Sequence, residues 1–198
     1  MSQPKPYHHG NLREALLQAA IRLIAEVGPT AFTLREVARR AAVSHSAPYR
    51  HFKDKDDLIA AVAAEGYREL TDAMLEAGNR QSGPVERLKH AGLAYVAFAL
   101  RRPEHFTVMF DAPVSKRDHP EASAASQESF STLLNFVKSC QESGRLPAGE
   151  PLEFALLAWS MVHGIAKLAI TGRLPFRSKA AILKFAGFVI DESLPVGR

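Results

Sequence analysis

Cysteine is nearly absent from the 198-residue chain. A single thiol, Cys140, excludes an internal disulfide and any cysteine-based metal framework, and it fits a reducing compartment. Long apolar runs are also missing. No stretch approaches the ~18 apolar residues of a membrane span; the nearest, Phe154 to Ile170, is interrupted by Ser160, His163 and Lys167. The first residues lack the apolar core and small-residue cleavage site of a secretory signal. A cytoplasmic protein with no membrane partner is therefore expected. There is no glycine-rich phosphate loop, no His-Glu-x-x-His and no paired-cysteine motif. Ser160 and His163 lie close in sequence, with no acid or oxyanion loop beside them. No enzyme, no cofactor and no bound metal are expected. No stretch keeps the period-two alternation of a strand.

What remains is an ordinary globular composition, 46% hydrophobic and 23% charged, with an uneven charge distribution. Residues 1–53 carry eight Lys/Arg and three acids, a net of +5, which leaves −1 for the rest of a +4 chain. A basic first quarter on a near-neutral body suits a polyanionic partner, although charge alone also describes a plain solvated face.

The pattern predicts an all-α chain of about nine helices. Residues 1–10, with Pro4, Pro6 and Gly10, are expected to form a mobile arm whose Lys5, His8 and His9 can touch a phosphate backbone or a minor groove. The first helix runs from an Asn11 cap to Val27 along a stripe of Leu12, Leu16, Ala20, Leu23 and Val27, and Gly28-Pro29 stops it. Thr33 and Glu36 make a capping box for the second. Ala41 to Val43 turn the chain through small residues. A third helix runs from a Ser44 cap over His45 to Phe52, with Pro48 at its fourth position, and Asp54 caps a fourth that continues to about Gly78. Further helices are read over 85–101, 103–111, 120–144, 151–172 and 178–192.

Two short capped helices joined by small residues, with a basic-aromatic end, form a helix-turn-helix. Its second helix enters the major groove of double-stranded DNA, with N-terminal residues at base edges. Those are His45, Ser46 and Ala47. Arg50 is the long donor for guanine or phosphate. Tyr49, His51, Lys53 and Lys55 suit the backbone, and Arg35 lies on the polar face of the second helix. Residues 1–57 are the expected DNA-binding domain and 58–198 a helical domain for ligand binding and dimerisation. In the latter, Tyr95, Phe98, Phe106, Met109, Phe110, Phe130, Trp159 and His163 offer an aromatic lining for an unknown small-molecule effector. The same residues would serve equally as plain core. The helix after Leu152 is apolar nearly all round and needs a partner, so 151–172 and 178–192 are expected to pair with a second copy of the chain.

The run Thr33…Val37-Ala38…Ala42-Val43-Ser44…Tyr49…His51-Phe52…Lys55…Leu58 resembles the signature of the tetracycline-repressor family of bacterial regulators, across residues 11–60. The resemblance implies Thr33, Ser44, Tyr49, His51 and Lys55 as DNA contacts, and Phe52 and Leu58 as residues holding the headpiece together. It implies a homodimer on a pseudo-palindromic operator. Family members commonly carry Gly where this chain has Ala42, and Pro48 is unusual. Tyr95…Phe98…Pro103…Phe106…Met109-Phe110 with Trp159…His163-Gly164 resembles the subgroup named for Trp-His-Gly. A ligand-responsive homodimeric repressor is the expected function. A helical small-molecule binding or dimerisation protein without DNA function is the alternative.

Overall fold

A computed structural model describes residues 12–113 and 118–193. The N-terminal arm and the Asn11 cap lie outside the described residues. Among the described residues the elements are eight α-helices and one short 3-10 turn: α1 (Leu12–Val27), α2 (Leu34–Arg40), the 3-10 turn (Pro48–Arg50), α3 (Lys55–Asn79), α4 (Pro84–Arg101), α5 (Pro103–Asp111), α6 (Pro120–Glu142), α7 (Pro151–Ile170) and α8 (Lys179–Ser193). There is no strand among the described residues.

Most helix ends follow local chemistry. Proline opens α4, α5, α6 and α7, where its missing N–H costs nothing and its φ already suits a helix. Asp54 accepts the Asp57 amide at 2.9 Å to start α3, and the Asp57 carboxylate accepts the Lys53 amide at 3.1 Å. Ser178 caps α8 through the Ala181 amide at 3.2 Å. At the far end of α7, Gly172 takes φ +67° while Arg173 and Gly172 donate to the carbonyls of Leu168 and Ala169.

The chain divides into two compact units. The first gathers the chain up to Glu65 with Glu104–Ser123, and the second holds Gly66–Pro103 with the chain from Ala124 onward. The packing division thus falls inside α3, after Glu65, rather than at 57/58, and it places α5 with the first unit. In that unit Leu12, Leu16, Leu17, Leu23 and Ile24 of α1 are buried with Leu34, Val37, Phe52 and Leu58. Val27, expected on the same stripe, is half exposed because α1 ends there. In the second unit α4 packs on α7 and α8. Gly92 permits the approach: a Cβ there would meet Ile190 at 3.2 Å and Val162 at 3.4 Å. Lys89 and Asp191 tie α4 to α8 at 2.6 Å.

Two expectations need correction. The helix over His45–Phe52 is not an α-helix: only Pro48–Arg50 winds, as a 3-10 turn begun by Ala47. Had Ser44 been the cap, the first helical bond would have run from the amide of residue 48 to the Ser44 carbonyl, and proline has no amide hydrogen. The Ser44 carbonyl instead accepts from Ala47 at 3.0 Å, and a run of tight turns follows. The Ser44 hydroxyl faces that of Ser46 at 3.3 Å and caps nothing. The second correction concerns α7. Despite Ser160, His163 and Lys167, it is long and apolar enough to cross a membrane by length and composition.

Candidate nucleic-acid interface and the aromatic cluster

The turn segment is presented by α2. Thr33 accepts the Glu36 amide at 3.3 Å, and the Glu36 carboxylate accepts the Thr33 amide at 2.7 Å. The Thr33 hydroxyl also donates to that carboxylate, at 2.9 Å, and this bond together with the one from the Thr33 amide holds the Glu36 carboxyl below its ordinary range. Arg40 donates twice to Glu26, both at 2.6 Å, fixing α2 against α1. That bidentate bond depresses the Glu26 carboxyl.

α2 then ends in a Schellman motif. Val43 donates to Ala38 at 3.0 Å and Ala42 to Arg39 at 3.2 Å. The motif needs a left-handed residue at Ala42, which adopts φ +56°, the sole such non-glycine among the described residues. The chain accepts this local strain of about 1 kcal/mol in order to turn sharply into the segment from Ser44 to Lys53.

Of the residues expected at DNA, Thr33, Arg35, Ser44, His45, Ser46, Tyr49, Arg50, His51 and Lys53 are exposed. Tyr49 stands out, an aromatic ring 55% exposed beside three basic or imidazole side chains. Two residues are placed otherwise. Ala47 is 8% exposed and packs inward with Pro48. The Lys55 ammonium donates to the Thr30 carbonyl at 2.9 Å and lies 5.5 Å above the Phe32 ring, so it braces the headpiece. Arg39, not among the expected contacts, is exposed on α2. Its helical position offered no signal that separates it from Arg40, whose partner Glu26 lies 14 residues away.

The residues expected to line a ligand site fall into both units. Phe106, Met109 and Phe110 lie on α5 in the first, where the Phe106 and Phe110 rings are 4.8 Å apart. Tyr95, Phe98, Phe130, Trp159 and His163 lie in the second. Phe98 is fully buried core. The Trp159 indole N–H donates to the Tyr95 hydroxyl at 3.1 Å, and that hydroxyl meets His163 Nδ1 at 2.9 Å. Indole only donates, so Tyr95 accepts from it and has its own proton for His163. Phe130 and His163 meet the Trp159 ring edge to face, at 6.1 and 5.6 Å. Burial pushes the Tyr95 phenol above its ordinary range. Cys140 is likewise buried and its thiol is pushed up to about 11, which leaves it unreactive.

Comparison with known proteins bears on both halves. Residues 16–62 match the family described as bacterial regulatory proteins, tetR family. Residues 88–187 match the family described as tetracyclin repressor-like, C-terminal domain. An HTH-type transcriptional repressor of Mycobacterium tuberculosis is 50% identical over 48 residues, 24% of this chain and 26% of that protein. The chain thus aligns with about a quarter of that relative's length. An uncharacterised HTH-type transcriptional regulator of Bacillus subtilis is 25% identical over 75% of this chain and 78% of its own. A solved structure of a protein of unknown function from Rhodococcus sp. RHA1 superposes with a TM-score of 0.80 at 31% identity, covering 96% of this chain and 99% of that one.

Proposed function

The chain belongs to the tetracycline-repressor family, and from that premise we propose that it is a DNA-binding transcriptional regulator, acting as a ligand-responsive homodimeric repressor in the cytoplasm. The observation that carries this reading is the segment Ser44–Lys53. It leaves Tyr49, Arg50, His51 and Lys53 exposed on a backbone held by a capping box and a Schellman turn. Short side chains at His45 and Ser46 leave few bidentate partners for base edges. Affinity then rests mainly on phosphate and on DNA shape. Thr33, Arg35, Ser44 and Arg39 extend the same face.

One such segment is too small to bind tightly, so the reading includes a second copy. Leu152, Leu156, Leu157 and Leu168 of α7 and Phe188 of α8 are 42–62% exposed in the single chain. A stripe of that composition costs free energy in water unless another apolar surface covers it. Dimerisation through α7 and α8 would present two reading segments to a pseudo-palindromic operator, about 34–36 Å apart on one DNA face. The cluster around Tyr95, Trp159 and His163 is the proposed effector site of the second unit, and an effector acts by favouring one spacing over another. The reading assigns no catalytic role to any residue.

The test is a salt-titrated gel shift on DNA from upstream of the protein's own gene. Wild type should retard it specifically, with affinity falling steeply as salt rises. The Tyr49→Ala/Arg50→Ala double variant should lose that retardation. Absence of specific retardation by wild type, or its survival in the double variant, would sink the proposal.

A further inference from the structure

The hairpin of α7 and α8 carries opposite charges at its two ends. The helices pack on each other and are joined by residues 171–178, so they run antiparallel. The Phe176 ring folds that connection back to 5.2 Å from the Phe185 ring. Residues 154–190 contain five Lys/Arg and no acid. Of these, Arg173, Arg177, Lys179 and Lys184 are exposed and gather in the connecting half. At the other end Glu150, Glu153 and Glu192 are exposed, Asp191 is held by Lys89 at 2.6 Å, and Arg198 lies outside the described residues. The exposed apolar stripe runs between the two ends. On α8, Phe188 is 62% exposed, and Lys184 and Glu192 stand one turn before and one turn after it on the same face. On α7, Glu153 stands one turn before Leu157.

If this stripe meets a second copy, as the dimer reading holds, the charges decide how. The two-fold axis between facing hairpins lies either along the helices or across them. Along them, each cationic end meets its own counterpart, and like charges opposed across an interface weaken it. Across them, each cationic end meets the acidic end of the other copy. An anionic membrane would attract one end of the hairpin and repel the other. We propose that the α7–α8 face takes a second copy of this chain with the helices antiparallel across the interface, Phe188 packing on its own counterpart and Lys184 facing the partner's Glu192. The two symmetric ion pairs then select both the orientation and the partner, because a chain without this order of charges is repelled.

Sedimentation velocity of the full-length protein, without DNA, tests it. Lys184→Glu and Glu192→Lys each turn two attractions into two repulsions, and each should weaken self-association by about tenfold. Their equimolar mixture should recover the wild-type dimer. The Lys184→Glu/Glu192→Lys double variant, which restores both pairs, should recover it alone. Recovery also shows that neither variant has failed to fold. Single variants that associate as tightly as wild type, or a double variant no tighter than the singles, would overturn the ion pairing while leaving the dimer reading to Leu157 and Phe188. A mixture of wild type with Lys184→Glu that pairs more tightly than either alone would overturn it too, since that marks an axis along the helices. A wild type that stays monomeric, or that sediments with phosphatidylglycerol vesicles in place of pairing, removes the dimer reading as well.

Discussion

The two units place their polar groups in opposite ways. In the first, hydrogen bonds are spent at helix ends, where Thr33, Glu36, Asp54 and Asp57 satisfy backbone amides, and the exposed edge is cationic. In the second, the polar atoms of Tyr95, Trp159 and His163 are linked inside the helix layer, and the exposed edge is leucine and phenylalanine. A polar edge needs a charged partner and a stiff local backbone. An apolar edge needs a second apolar surface and tolerates a looser one. The lesson is that exposure by itself is not a functional mark: what is exposed, and what holds it, separates a polyanion-facing edge from a self-association face.

Breaking the apolar edge should have the largest effect. Leu157→Glu/Phe188→Glu places carboxylates on the stripe, and self-association should weaken by about a thousandfold. Sedimentation velocity should then show a monomer, and DNA affinity should fall with it. A dimer that persists would detach the stripe from association.

Breaking the cationic edge comes next. Arg50→Ala alone should weaken DNA binding by about tenfold to a hundredfold and reduce the salt slope by about one, while leaving the oligomer intact. The contrast between these two variants separates the edges: one changes sedimentation and DNA binding together, the other DNA binding alone.

Two substitutions address what holds each edge. Tyr95→Phe leaves the Trp159 N–H and His163 Nδ1 without their shared partner. It should cost about 1–3 kcal/mol in urea unfolding, followed by the fluorescence of the chain's one tryptophan. Ala42→Gly relieves the left-handed alanine. It should raise stability by about 1 kcal/mol, with DNA affinity unchanged. A loss of stability would mean that Ala42 makes contacts outweighing its backbone strain.

The smallest effect concerns acid. The Glu36 carboxyl is held below 4.5 by Thr33. Its contribution to the α2 start is therefore present at neutral pH and is lost as pH falls through the depressed folded value. Thr33→Ala should flatten that part of the acid unfolding curve, and Glu36→Gln should do the same.

Most helix boundaries were legible because they are set within four residues of themselves. The capping box at Thr33, the Asp54 cap, prolines opening four helices and glycines closing others act through neighbours in the chain. The candidate site was legible in part. Its exposed residues follow from the polar side of two short elements, but Ala47 and Lys55 were assigned outward and turn inward to Pro48, Thr30 and Phe32. Nothing local marks a lysine that will brace a carbonyl 25 residues back.

What the sequence by itself determined, then, is the order and extent of the helices, the all-helical class and the basic first quarter. Their causes are propensity, capping and charge, all short in range. The tertiary structure alone decided that Ala42 turns left-handed and that Arg40 belongs to Glu26. It alone joined Trp159, Tyr95 and His163 across 64 and 68 residues. The reason is that partners so far apart leave no periodicity to read, and a backbone strain is accepted only once packing on both sides has fixed where the chain must go.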